Sequence, residues 1–307
     1  MINPLVELKE YEDLTTALKT GKGPIHVTGS MDSQKVQLMH ELGGSGGWKL
    51  VVTYDDQRAR EIYDDFRNFT KQVWLYPAKD LLFFSADIHG NLAVLRHLME
   101  EPEGVVVTTI DGLMDHLLPL DHLKNQTLTV SGGETIDLNE WRNRLTAMGY
   151  ERMAQVDGMG QFSIRGGIID VFPLTEESPV RIELWDDEVD SIRTFDLESQ
   201  RSIEQLESVT IYPAIEVVVT SEQLSAGIEA MEKEAKVYEK SLRSQKKIEE
   251  ASRIRAVIRE FAEELKEGWK VSGLDAYVRY FCKDTVSFFD YFKEWISDGR
   301  GIVFLDE

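Results

Sequence analysis

Residues 160–196 read GQFSIRGGIIDVFPLTEESPVRIELWDDEVDSIRTFD. Short runs of alternating apolar and polar residues, broken by Gly, Pro and acidic pairs, are the pattern of successive β-strands. In Val180–Trp185 the alternation is clean. Val180, Ile182 and Leu184 fall on one face, and Arg181, Glu183 and Trp185 on the other. The first is a core face. The second sets a large aromatic among charges, with nothing local to hide it. Two readings of Trp185 stand. It packs under a loop or helix of its own domain, or it is a protein contact, because Trp and Arg are enriched at binding hot spots. In residues 162–165, Phe162 and Ile164 take one face and Ser163 and Arg165 the other. Pairing of these two strands in one sheet would put Arg165 on the polar face with Arg181 and Trp185.

Outward from this segment the pattern changes on both sides. Residues 1–125 alternate strand candidates (24–28, 49–54, 73–76, 104–109) with helix candidates (33–42, 56–69, 92–101, 110–118), which argues for βαβ units and a parallel sheet. In residues 126–212 strands dominate, with one helix at 138–148. Within 126–208 there are 17 acidic residues against 7 basic ones, so this module suits a basic partner surface. Residues 213–307 turn helical. Between 221 and 268 apolar residues recur at helical spacing (Ile254, Val257, Ile258, Phe261, Leu265), and most of the charge is expected to form a solvated helix face. Residues 301–307, GIVFLDE, have a buried-strand pattern closing on Asp306–Glu307. A chain that stops just after a core strand is expected to be a piece of something longer.

At 307 residues the chain has room for two or three domains with real cores. Its net charge of −21 argues against broad non-specific binding to DNA, RNA or anionic membranes. Cys282 is the only cysteine, which excludes an internal disulfide and a zinc site built on several cysteines. The start, MINPLVELKEYEDL, is acidic where a secretory signal needs a basic start and an apolar run. No segment has the ~18 continuous apolar residues of a membrane span. Cytoplasm is the default expectation.

A turn between a strand and a helix at 28–33 is where a phosphate-binding loop, GxxxxGK[ST], would sit. Its best alignment is HVTGSMDS, which includes Gly29. His26 stands for the first glycine, Met31 for the second, Asp32 for the lysine and Ser33 for the Ser/Thr. A carboxylate at Asp32 repels the phosphates that the lysine would attract, and Met31 adds a Cβ where the backbone must approach closely. Gly29, Met31, Asp32 and Ser33 are therefore expected to form an inactive loop. Asp306–Glu307 resembles a metal-binding acidic pair at a strand end but has no phosphate cradle to serve. The histidines (26, 40, 89, 97, 116, 122) lack metal-ligand spacing. No catalytic residue, metal or cofactor is expected.

The run from Gly160 to Ala214 resembles the second domain shared by the excision-repair helicase UvrB and the bacterial transcription-repair coupling factor (Mfd). Upstream, LYPAKDLLFFSADIHGNLAVLRHLM and VVVTTIDGLMDHLLP are similar to the coupling factor's first domain. Downstream, EEASRIRAVIREFAEELKEG and IVFLDE are similar to the closing half of that domain. UvrB itself fits less well. It keeps a phosphate loop and a Tyr-rich hairpin that clamps damaged DNA, whereas residues 77–96 here carry no Tyr cluster.

The resemblance implies a fold: an α/β, degenerate helicase-like parallel-sheet domain of the P-loop type, split by an inserted, mostly β, α+β domain like UvrB domain 2. In it, 1–125 and 213–307 are two parts of the first domain and 126–212 is the insert. It also implies a role: a non-catalytic adaptor that recruits UvrA in transcription-coupled nucleotide excision repair and holds the parent translocase in check. The family's UvrA contacts fall on Arg165, Arg181 and position 185, where Phe is common and this chain has Trp185. RNA polymerase and DNA would be met through parts outside this chain. The competing expectation is a UvrB-like ATP-dependent helicase fragment.

Overall fold

The computed structural model describes residues 4–21, 23–42, 47–78, 88–266 and 274–307. These fall into two compact units. The first gathers the described residues up to Asp115 together with Ser287–Glu307. Its centre is a four-stranded parallel sheet in the order Ile302–Leu305, Trp48–Thr53, Gly104–Thr109, Val73–Tyr76. Leu50 pairs with Val303 on one side and Val106 on the other. Trp48–Thr53 and Gly104–Thr109 are buried along their whole length, as expected of inner parallel strands covered on both faces.

The apolar faces of helices Asp32–Glu41 and Asp56–Phe66 join this sheet in one core, with Val36, Met39, Ile62 and Phe66 against Val51, Val105 and Val107. Asp55 caps the second helix by accepting from the Arg58 amide at 2.7 Å. At Gly104 a side chain is sterically barred. An added Cβ would lie 2.3 Å from the Trp74 ring and 2.9 Å from the Trp48 ring.

Lys49 enters the same unit as a charged residue in a buried strand. It is 8% exposed, and its ammonium donates to the His40 carbonyl at the end of helix Asp32–Glu41, a favourable place for a cation. Burial nevertheless outweighs its partners and lowers its pKa from 10.5 to about 8. Between those values the unfolded chain holds a proton that the folded chain has released. Stability should therefore rise as pH climbs through that window. Urea unfolding across the range should show this rise in the wild type and a flatter profile in Lys49→Met.

Three local expectations are corrected. Residues 24–28 form no strand; they are exposed and have no ladder partner among the described residues. The expected 110–118 helix is a four-residue turn, Ile110–Leu113, capped by Thr109 and followed by the two-residue strand His116–Leu117. The helix expected at 92–101 begins earlier, spanning Ile88–Glu100.

The second unit lies within His116–Val286. Its six-stranded sheet runs in the order Ser202–Leu206, Glu188–Phe195, Val180–Trp185, Ile168–Phe172, Gln161–Arg165, Glu151–Arg152. All neighbours are antiparallel except the last pair. Leu128–Ser131 and Ser208–Ile211 form a separate antiparallel ribbon. Helix Leu138–Ala147, capped by Asp137, packs Trp141 and Leu145 into one core with Phe162, Ile169, Val171, Val180 and Ile182.

In the same unit, helices Ser221–Ser244 and Ile248–Lys266 form a hairpin. Its base is a core of Ile228, Met231, Phe261, Leu265 and Phe281. Gly227 admits Phe281 so closely that a Cβ would sit 2.2 Å from its ring. The stretch 213–307 is thus divided, with 213–286 in the second unit and 287–307 in the first. No helix among the described residues is long and apolar enough to cross a membrane.

Candidate partner-binding face

The outer face of the six-stranded sheet is built by register. Ser163, Asp170, Arg181 and Arg193 lie in one row across four neighbouring strands. Arg165, Ile168, Glu183 and Ser191 form the next row. The alternation that sends Phe162, Ile169, Val171, Val180 and Ile182 into the core forces these residues outward.

Asp170 is the hub. Its side chain is only 1% exposed, so its charge has to be met internally. Arg181 does this in a two-pronged fork, Nε to Oδ1 at 2.6 Å and Nη2 to Oδ2 at 2.9 Å. Such planar pairing is what guanidinium offers and ammonium does not. Arg165 donates to the same Oδ2 at 2.9 Å. Arg181 also donates to Gln200 at 2.9 Å, and its guanidinium lies 4.4 Å from the centre of the Phe195 ring, within cation–π range. The hydrogen bonds it donates to Asp170 raise the Arg181 pKa further above its ordinary value, so this arginine stays charged. Beside them Arg193 pairs with Glu183, which also accepts from Ser191 at 3.2 Å.

Trp185 ends its strand opposite Glu188, just before Asp186 in a left-handed conformation (φ 61°). It is 81% exposed. Of the two readings the sequence leaves open, packing beneath a loop or helix of its own domain is therefore excluded. Four residues of extended chain, about 13 Å, separate it from Arg181 on the same face. The fold brings Arg165 and Arg181 together on one carboxylate and sets Trp185 at the rim.

Sequence reasoning missed Asp170. The available signal was a lone carboxylate inside the apolar run Ile168–Phe172, which demands a partner once that strand is buried. The outward parity of Arg165 and Arg181 could have supplied it.

The second candidate, the degenerate loop, lies in the first unit. Gly29, Met31, Asp32 and Ser33 are all exposed, and the helix starts at Asp32 itself. Asp32 turns to Arg58 Nη2 at 3.0 Å. Arg58 also holds Glu61 at 3.3 Å and, through Nε, Asp306 at 2.8 Å. Lys35 binds the other Asp306 oxygen at 2.8 Å. The Asp306 side chain is 1% exposed. Burial pushes its pKa up, but the hydrogen bonds and charges of Arg58 and Lys35 prevail and leave it lowered. Glu307 is exposed and takes no part. The strand-end carboxylate that resembled a metal ligand is thus held by two internal cations. Among the described residues no group of three or more His, Cys, Asp or Glu is placed to hold a metal ion.

Comparison with known proteins gives the face a context. The sequence profile of the UvrB interaction domain matches residues 128–216, which contain Arg165, Asp170, Arg181 and Trp185. The transcription-repair-coupling factor of Bacillus subtilis (strain 168) is 34% identical over 250 residues, covering 79% of this chain and 21% of that protein. That of Staphylococcus aureus (strain MRSA252) is 35% identical over 228 residues, covering 71% of this chain and 19% of that protein. The chain thus spans about a fifth of the length of these curated relatives.

Proposed function

We propose, from the homology of this chain to the N-terminal fifth of the transcription-repair-coupling factors and the UvrB interaction domain it carries, that its Arg165–Arg181–Trp185 face recruits UvrA in nucleotide excision repair. The observation that carries this is Trp185. A fully presented indole at the rim of a preorganised arginine pair is an anchor without a purpose in its own fold. Arg165 gives one nitrogen to Asp170 but keeps nearly half its side chain exposed, so its remaining N–H groups can meet a partner carboxylate. Arg181, more buried, holds the platform and offers its remaining edge.

The chain itself acts as an adaptor in the cytoplasm, with no chemistry of its own. The ATP-driven motor and the contact with RNA polymerase belong to parts of the coupling factor outside this chain. The same face also docks within the parent protein, which keeps the motor in check until the face is released to UvrA. Deleting 1–307 from the parent should then raise its DNA-stimulated ATPase rate.

The test of the site is a UvrA titration. Trp185→Ala should weaken the complex by about 2 kcal/mol or more, roughly 30-fold, while Trp185→Phe keeps most of the affinity and both variants unfold like the wild type. Undiminished UvrA binding by Trp185→Ala would overturn the assignment. The rival reading, a UvrB-like ATPase fragment, meets the Asp32 and Asp306 pairings described above. Clear micromolar binding of Mg–ATP by calorimetry would favour it instead.

A further inference from the structure

In an acidic chain, the outer part of the helical hairpin is basic. Residues 233–255 carry eight Lys and Arg against four Glu, whereas the whole chain has a net charge of −21. On helix Ser221–Ser244, Lys233, Lys236, Lys240 and Arg243 follow one another at three- and four-residue spacing, so they line a single face, and Lys247 follows in the turn. All five are exposed. The helical part of the row, Lys233 to Arg243, is about 15 Å long at 1.5 Å per residue. It stands on a rigid support, because Leu242 and Ala251 are buried along the hairpin and Thr220 caps the helix with Gln223.

Internal pairing consumes part of the row. Arg243 is bound to Glu239 at 2.8 Å, and Lys247 lies 3.4 Å from Glu250. Lys233, Lys236 and Lys240 have no carboxylate within ion-pair distance among the described residues. Glu232, four residues before Lys236, is paired instead with Lys266 at 3.4 Å, which leaves these three ammonium groups available to an external anion.

We propose that this lysine row is a contact surface for the phosphate backbone of duplex DNA, separate from the Arg165–Arg181–Trp185 face. A protein partner fits less well. Lysine is depleted in the desolvated cores of protein interfaces, and the exposed aromatic of this helix, Tyr238, stands two residues from Lys236 and Lys240 and so faces away from the row. A straight, rigid, exposed line of ammonium groups is what sequence-independent phosphate neutralisation uses. The negative charge of the rest of the chain orients the encounter, repelling DNA from other surfaces and leaving this arm as the favourable approach.

The test is fluorescence anisotropy of a labelled duplex with the whole chain at low ionic strength, repeated over a salt series. Binding should be weak and steeply salt-dependent. Replacing Lys233, Lys236, Lys240 and Lys247 by Gln, which preserves helix propensity, should cut affinity at least tenfold and reduce the log–log salt slope by about 3–4. A control set with the same charge change elsewhere (Lys9, Lys19, Lys71 and Lys124 to Gln) should change both far less. Circular dichroism should show equal helix content in all three proteins. No duplex binding by the wild type, or equal losses in the two sets, would overturn the proposal. Preference for polyglutamate over duplex would overturn it in favour of an acidic protein partner.

Discussion

Arg58→Ala is expected to lower the unfolding free energy by about 3–5 kcal/mol, the usual cost of stranding one partner of a buried ion pair. Three carboxylates converge on this guanidinium, and the one that matters is Asp306, whose side chain is 1% exposed. Without Arg58 the only cation left on that carboxylate is Lys35, itself partly exposed, beside a long hydrogen bond from the Thr53 hydroxyl. Asp32 and Glu61 are solvated, so losing them should cost little. Arg58→Lys should recover only part of the loss, because an ammonium cannot span Asp32, Glu61 and Asp306 at once. Arg58→Met combined with Asp306→Leu should recover more, because no charge is left buried.

The pH dependence has a definite sign. The folded pKa of Asp306 lies below its ordinary value. Its contribution is therefore present above the unfolded carboxylate range and lost as pH falls through the folded value. The gap between wild type and Arg58→Ala should narrow in acid. Urea unfolding at neutral and acidic pH reads both effects, and superimposable curves at neutral pH would show that Asp306 is not held as described.

Arg181→Ala should show two losses together, in stability and in UvrA affinity, and the structure explains why they must be separated. The position is on the outer face, which by strand alternation alone reads as safe to truncate. Its guanidinium, however, supplies two of the bonds to the buried Asp170 carboxylate. Removing it leaves Asp170 to Arg165 alone, at a cost on the order of 3 kcal/mol. The double variant Arg181→Ala with Asp170→Ala removes the stranded charge as well and should regain most of the stability. If Arg181 itself touches the partner, affinity stays low in this refolded double variant. If affinity returns with stability, Arg181 acts only by holding the sheet. Trp185→Ala, which changes no internal contact of note, supplies the reference in which affinity falls and stability does not.

Much of the second unit could be read from residue order. Val180–Trp185 alternates so regularly that both its faces are legible, and the observed core and outer rows follow that alternation residue by residue. The central strands of the first unit were equally plain, because Trp48–Thr53 and Gly104–Thr109 are apolar runs of the kind that parallel sheets bury. Residues 24–28 failed by the same criterion. They are short and apolar, yet a strand exists only if a neighbouring edge accepts its hydrogen bonds, and nothing local records that. The 110–118 segment failed because Thr109 and Gly112 support a single capped turn that its apolar content does not reveal.

What the sequence by itself determined is the side of each strand on which a residue falls, and with it the outward placement of Arg165, Arg181 and Trp185. It also determined that Asp32 stands where a phosphate-binding lysine would be required. Both are matters of local chain geometry and of the charge on one side chain. Tertiary structure alone decided which of those residues are spoken for. Arg181 and Arg165 share the buried Asp170, Arg58 and Lys35 are committed to Asp306 from positions 248 and 271 residues away, and Trp185 is left uncovered. The physical reason is desolvation. A carboxylate takes on a demanding electrostatic role only when packing removes its water, and which cation then answers it depends on distances that exist only after the chain has folded.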